Sequence, residues 1–132
     1  MEISYGFEEK IDGAEVADVF RRSGIHRPID DVARIQRMVD NADIIVTARS
    51  NGQLVGVARA ITDYSYCCYL SDLAVDTEYQ RSGIGKELVR LIQEKLGDEV
   101  TLLLVAAPTA VEYYPRIGFE KLDKAFSIRR KR

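Results

Sequence analysis

Apolar residues recur at steps of three and four in some segments and alternate or run together in others, and this change of period divides the chain into elements. Ile84, Leu88, Leu91, Ile92 and Leu96 share one face of a predicted helix. Val16, Val19 and Phe20 do the same in a helix that starts near Asp12 and closes at Arg21-Arg22-Ser23-Gly24. A third helix carries Val32, Ile35, Met38 and Val39, with Asp30 or Asp31 as its cap, and Pro28 separates it from the first. Pro108-Thr109 opens a short fourth helix, Ala110 to Arg116, ended by Gly118.

The remaining segments read as extended. Ile3 to Phe7 is a weakly patterned first strand. Ile44 to Ala48 and Leu54 to Ala58 flank Asn51-Gly52, a pair that favours the type I′ hairpin turn. Asp63-Tyr64-Ser65 makes the next reversal, and the run from Cys67 to Val75 completes an antiparallel meander. Thr101 to Val105 is apolar on both faces, as in a sheet centre, and its place after a strand and a helix implies a right-handed parallel crossover. Phe119 to Leu122 and Ala125 to Ile128 supply one or two closing strands. The fold class is therefore α/β (α+β), one domain over residues 1–132, with six to seven mostly antiparallel strands and about four helices.

Composition narrows the functional classes. The chain is 46% hydrophobic and 30% charged with a net charge of −2, and only the tail Arg129-Arg130-Lys131-Arg132 is basic. That balance gives no electrostatic case for nucleic acid; the tail reads as a solvated terminus, with an RNA contact ranked last. No apolar run reaches the roughly 20 residues of a membrane span, and the amino terminus lacks a secretory pattern, so a cytoplasmic protein without a membrane partner is expected. Cys67 and Cys68 are adjacent on a strand and point to opposite faces, which makes them reduced packing residues. No metal-ligand spacing accompanies them, so no metal is expected.

Ser82-Gly83-Ile84-Gly85 lies where the strand ending in Leu73-Ala74-Val75 gives way to the longest helix. Glycines there let a ligand approach the backbone, and the unpaired amides of the first turn point at it, an arrangement suited to phosphate or pyrophosphate. The phosphate-binding loop G-x-x-x-x-G-K-S/T is absent from the sequence. A dinucleotide fold is disfavoured, because the glycine turn follows a meander and not the first strand.

Gln80-Arg81-Ser82-Gly83-Ile84-Gly85 resembles the R/Q-x-x-G-x-G/A signature of the GNAT superfamily of N-acetyltransferases. Leu73-Ala74-Val75-Asp76 is similar to the strand end before it, and Tyr113-Tyr114-Pro115-Arg116-Ile117-Gly118-Phe119 to the late Y-x-x-x-G-F motif. The resemblance covers the whole chain and implies acetyl-CoA as co-substrate, with the sheet splayed where it binds. It implies that Gln80, Arg81, Ser82, Gly83, Ile84, Gly85 and Lys86 clasp the pyrophosphate, and that the backbone at Leu73, Ala74 and Val75 pairs with the pantetheine and polarises the thioester carbonyl. It places Tyr114 as proton donor to the departing sulfur. Pro115 and Ala107 depart from the usual pattern; at Ala107 many relatives carry an asparagine that contacts the cofactor.

An attacking amine must lose a proton, and Asp72, Asp63 and Glu112 are candidate bases, Asp72 being preferred. The plainer readings are a hydrogen-bonded strand residue or a solvent-facing carboxylate for Asp72, a core aromatic for Tyr114 and a core position for Tyr113. His26 has no partner at catalytic spacing. The expected function is acetyl transfer to a primary amine of a small molecule or peptide by direct attack in a ternary complex, with a homodimer allowed. The alternative is an acyl-CoA-binding sensor without turnover.

Overall fold

A computed structural model describes residues 2–132. Strands β1 (Ser4–Phe7), β2 (Ile44–Ser50), β3 (Gln53–Thr62), β4 (Cys67–Val75) and β5 (Thr101–Leu103) form one sheet in sequence order. The first four are antiparallel, and β5 joins β4 in parallel. Helices α1 (Gly13–Ser23), α2 (Val32–Asp40), α3 (Ile84–Leu96) and α4 (Tyr113–Arg116) complete the fold, with 3-10 turns at Thr77–Tyr79 and Pro108–Ala110.

Local chemistry sets the boundaries. The Asp12 carboxylate accepts the Ala14 N–H at 3.0 Å and starts α1, and Gly24, at φ +82°, ends it in the left-handed conformation that costs glycine least. Asp31 caps α2 through the Arg34 N–H. Asn51 and Gly52, at φ +52° and +82°, are the two left-handed residues that a type I′ hairpin requires.

Each sheet face carries its own core. Val16, Val19 and Phe20 of α1 and Ile35 and Val39 of α2 pack with Ile45, Leu54, Val57 and Ala74. On the other face Ile84, Leu88, Val89 and Ile92 of α3 pack with Val46, Ala58, Ala60, Cys68 and Leu70. Alternation along β4 should hold Cys68, Leu70 and Ala74 on one face, yet Ala74 belongs to the opposite core. The cause is a bulge: Arg59 pairs with Asp72 and Ala60 with Leu70, which leaves Ser71 without a partner.

Three expectations are corrected. The sheet has five strands, not six to seven, because Phe119 to Ile128 forms no strand. Neighbouring β5 is only three residues long and offers little ladder to extend, and Glu120, Lys121, Asp123 and Lys124 interrupt the apolar positions. Phe126 and Ile128 stand open to solvent. β5 itself is an edge strand and not the sheet centre: it ends at Leu103, which is 38% exposed. Of the two cysteines only Cys68 packs; Cys67 is exposed, and both thiols are free.

Phe20 is fully buried between α1 and the sheet, so Phe20→Ala should cost about 3–5 kcal/mol of stability. Urea unfolding followed by circular dichroism checks this; a loss below about 1 kcal/mol would mean that α1 does not seal this face.

Candidate functional site: an open strand edge beside a helix amino terminus

β4 loses a neighbour halfway along its length. Its pairing with β5 stops at Tyr69 and Leu103, while β4 runs on to Val75 with only β3 beside it. The Asp76 N–H bonds the Val55 carbonyl at 2.8 Å, so the Asp76 amide faces β3. By strand alternation Ala74 also turns its amide toward β3, while Leu73 and Val75 present N–H and C=O to the open side. One open-edge acceptor is taken by the chain itself, since the Gln80 side-chain amide donates to the Val75 carbonyl at 2.9 Å.

The helix that faces this edge starts without a lid. Arg81, at φ +71°, and Gly83, at φ +82°, turn the chain into α3. A left-handed arginine costs of order 1 kcal/mol, strain of the kind that gathers at ligand sites. The Ser82 hydroxyl donates to the Tyr79 carbonyl and fixes the turn. The first helical bond, Glu87 N–H to Gly83 C=O at 3.0 Å, leaves the amides of Ile84, Gly85 and Lys86 without an intrahelical partner, and no side chain caps them. Ile84 is buried beneath the turn and anchors it to the α3 core, while the Lys86 side chain is exposed.

Tyr113 is where sequence reasoning misses. It is 38% exposed and not a core residue. Its hydroxyl lies 2.7 Å from the point that a Cβ on Gly85 would occupy, with the Leu73 side chain 3.9 Å from the same point. A side chain on Gly85 would have to displace the Tyr113 hydroxyl. Leu73, Gly85 and Tyr113 meet at one point beside the start of α3; the repeated tyrosine in Tyr113-Tyr114 was the available signal.

The Tyr114 ring packs edge-on against Tyr113 at 5.3 Å and against Phe119 at 5.5 Å. Gly118, at φ +104°, reverses the chain so that the Phe119 N–H reaches the Tyr114 carbonyl at 3.1 Å, which gives the Y-x-x-x-G-F spacing its physical meaning. Burial raises the Tyr114 phenol pKa above its ordinary value, Tyr113 adds to the rise, and the Arg27 cation opposes it. Burial raises that of Tyr113 as well. Both hydroxyls are hydrogen-bond donors at neutral pH.

The acidic candidates lie in different settings. Asp72 projects from the opposite face of β4, toward the α1–α2 side, with its side chain 0% exposed. Its oxygens are held by two guanidinium groups, Oδ1 by Arg27 Nε at 2.5 Å and Oδ2 by Arg59 Nε. Asp63 is exposed and accepts the amides of Ser65, Tyr66 and Cys67 at 2.9, 2.8 and 3.1 Å, bonds that hold its carboxyl below the usual range. Glu112 is exposed just before α4, and His26 is an exposed residue of the α1–α2 connection.

The open strand edge and the uncapped helix amino terminus lie side by side with unpaired backbone groups, and the Tyr113 hydroxyl borders them. The Acetyltransferase (GNAT) domain family matches residues 8–129, and the chain belongs to that family. It is 37% identical over 73 residues to GCN5-related N-acetyltransferase 2, chloroplastic, of Arabidopsis thaliana, covering 52% of this chain and 27% of that protein. It is 30% identical over 103 residues to the uncharacterized N-acetyltransferase ycf52 of Pyropia yezoensis, covering 74% of this chain and 58% of the relative. The chain thus spans little more than half of one relative and about a quarter of the other. A probable acetyltransferase of unknown function from methicillin-resistant Staphylococcus aureus superposes with a TM-score of 0.85 at 18% identity, over 99% of this chain and 100% of that one, and thereby shares the fold.

Replacing Asp72 by Asn leaves the buried Arg59 guanidinium and the partly exposed Arg27 without a counter-charge, so Asp72→Asn should lose about 3–5 kcal/mol of stability in thermal unfolding. A variant with unchanged melting temperature and lost activity would instead mark Asp72 as the base.

Proposed function

We propose that this chain is an N-acetyltransferase that moves an acetyl group from acetyl-CoA to a primary amine by direct attack. The observation that carries the reading is the union of the open β4 edge, the three free amides at the start of α3 and the Tyr113 hydroxyl beside Gly85, with Tyr114 packed against Tyr113. The donor set fits the co-substrate: unpaired amides suit a pyrophosphate, an open strand edge suits an amide-bearing arm, and Gly85 keeps the passage free of a Cβ.

In this reading the amides of Ile84, Gly85 and Lys86 bind the pyrophosphate, with Gln80 to Gly83 shaping the turn that exposes them. The Leu73 and Val75 backbone aligns the arm, and the role narrows to these two because the Ala74 amide faces β3. The Tyr113 hydroxyl lines the same passage. The thioester supplies an activated acetyl group. A bond forms from the amine nitrogen to the acetyl carbon as the carbon–sulfur bond breaks, with its electron pair staying on sulfur. Tyr114 gives its proton to that sulfur and regains one from water, and the amine proton leaves to water. Asp72 is assigned a structural role in place of the base, since both of its oxygens are occupied. Asp63 is a weakened base because its bonded amides favour the carboxylate.

Isothermal titration with acetyl-CoA and a thiol-release assay over a panel of primary amines test the reading. The wild-type protein should bind acetyl-CoA, and Tyr114→Phe should keep its affinity within about threefold while turnover falls about a hundredfold. Absence of binding contradicts the proposal. Binding without turnover on any amine favours a coenzyme-binding sensor.

A further inference from the structure

Arg81 stands in the left-handed conformation at φ +71°, and an arginine keeps that geometry only where the chain on both sides of it is fixed. Downstream, the buried Ile84 fastens the start of α3 to its core, and the Ser82 hydroxyl donates to the Tyr79 carbonyl. Upstream, the chain leaves β4 at Asp76, whose side chain is 7% exposed. The Asp76 carbonyl accepts the Tyr79 N–H at 2.8 Å, and Oδ1 accepts the Glu78 N–H at 2.9 Å and caps the 3-10 turn. Asp76 thus holds the turn whose last residue holds Ser82.

The remaining oxygen of Asp76 is held from the other face of the sheet. Arg22, in the last turn of α1 and 54 positions earlier, donates to Asp76 Oδ2 through Nη1. Its Nη2 donates to the Leu54 carbonyl at 2.8 Å and its Nε to Asp18 Oδ2 at 3.0 Å. Successive carbonyls of β3 are therefore engaged, that of Leu54 by Arg22 and that of Val55 by the Asp76 N–H at 2.8 Å. The Arg22–Asp76 pair closes the ring of bonds. A carboxylate held by that ring cannot rotate without breaking a charge-assisted bond, and any rotation would carry the Glu78 amide with it. A series of direct hydrogen bonds and adjoining residues runs from Arg22 through Asp76, Tyr79 and Ser82 to Gly83, where α3 begins.

We propose that Arg22 is a positioning residue for the coenzyme pyrophosphate: by locking the Asp76 carboxylate it sets how the chain enters the Arg81–Gly83 turn, and so where the amides of Ile84, Gly85 and Lys86 aim. The inference rests on the acetyltransferase reading given above and adds to it a residue of α1, across the sheet from the ligand. Its mark is a division within the site. The helix amides depend on Arg22, whereas Leu73 and Val75 are set by the β3–β4 ladder and do not.

The test titrates nitrogen-15-labelled wild type, Arg22→Gln, Arg22→Lys and Asp18→Asn with coenzyme A, following amide shifts, beside thermal unfolding of each. In Arg22→Gln the Kd should rise about tenfold or more. At saturation its Leu73 and Val75 amides should shift as far as in wild type, while the shifts of Ile84, Gly85 and Lys86 fall short. Arg22→Lys keeps a cation for Asp76 and should recover most of the affinity. Asp18→Asn removes only a helix-surface partner of Arg22, so its Kd should stay within about twofold of wild type. Should Arg22→Gln not fold, Asp76→Asn, which keeps the Glu78 cap and loses the ion pair, carries the same expectations; if neither folds, Arg22 serves the whole fold and the proposal is overturned. Equal attenuation at the strand edge and the helix amides, a lysine variant as weak as the glutamine one, or an Asp18→Asn loss as large as that of Arg22→Gln also overturns it. Failure of the wild type to bind coenzyme A sinks the acetyltransferase reading itself. A wild type that binds, with Arg22→Gln binding equally well, sinks only the role of Arg22.

Discussion

β4 and β5 part after three paired residues, and the rest of the site follows from that divergence. A strand with neighbours on both sides has no backbone groups to offer, whereas Leu73 and Val75 keep theirs because β5 ends at Leu103. Unpaired strand groups invite pairing by another chain or by a ligand. The chain manages this exposure locally: Gln80 occupies the Val75 carbonyl, and α3 and Tyr113 border the gap. What remains open matches an arm with amides along it and a phosphate at one end.

The bulge at Ser71 is the second constraint. Without it, Leu73 and Val75 would point into the α1–α2 core and Asp72 toward α3. With it, Leu73 and Val75 join the α3 side, while Asp72 meets Arg27 and Arg59 on the other. An ion cluster on one face of the sheet therefore sets the direction of side chains and amides on the other.

Much of this was legible in the sequence, because it rests on local signals. The helical faces of α1, α2 and α3, the Asn51-Gly52 hairpin and the glycine turn at Gly83 each follow from side chains within a few residues of one another. Long-range chemistry was not legible. Asp72 stood as a candidate base because its partners Arg27 and Arg59 are 45 and 13 positions away in sequence, and nothing local announces the pairing. Tyr113 looked like a core residue because its helix, once formed, is only four residues long and turns the ring onto α3. Thr101 to Val105 looked central from its apolar run, but apolar content cannot reveal that a neighbouring strand diverges.

The central claim is that one ligand bridges the open β4 edge and the α3 amino terminus. Amide chemical-shift mapping with nitrogen-15-labelled protein and coenzyme A measures this directly. The account predicts that the amides of Leu73, Val75, Ile84, Gly85 and Lys86 shift together in one saturable transition, while those of Val16 to Phe20 in α1 stay in place. Shifts confined to the α1–α2 side, or a response of the helix amides without that of the strand edge, would contradict it.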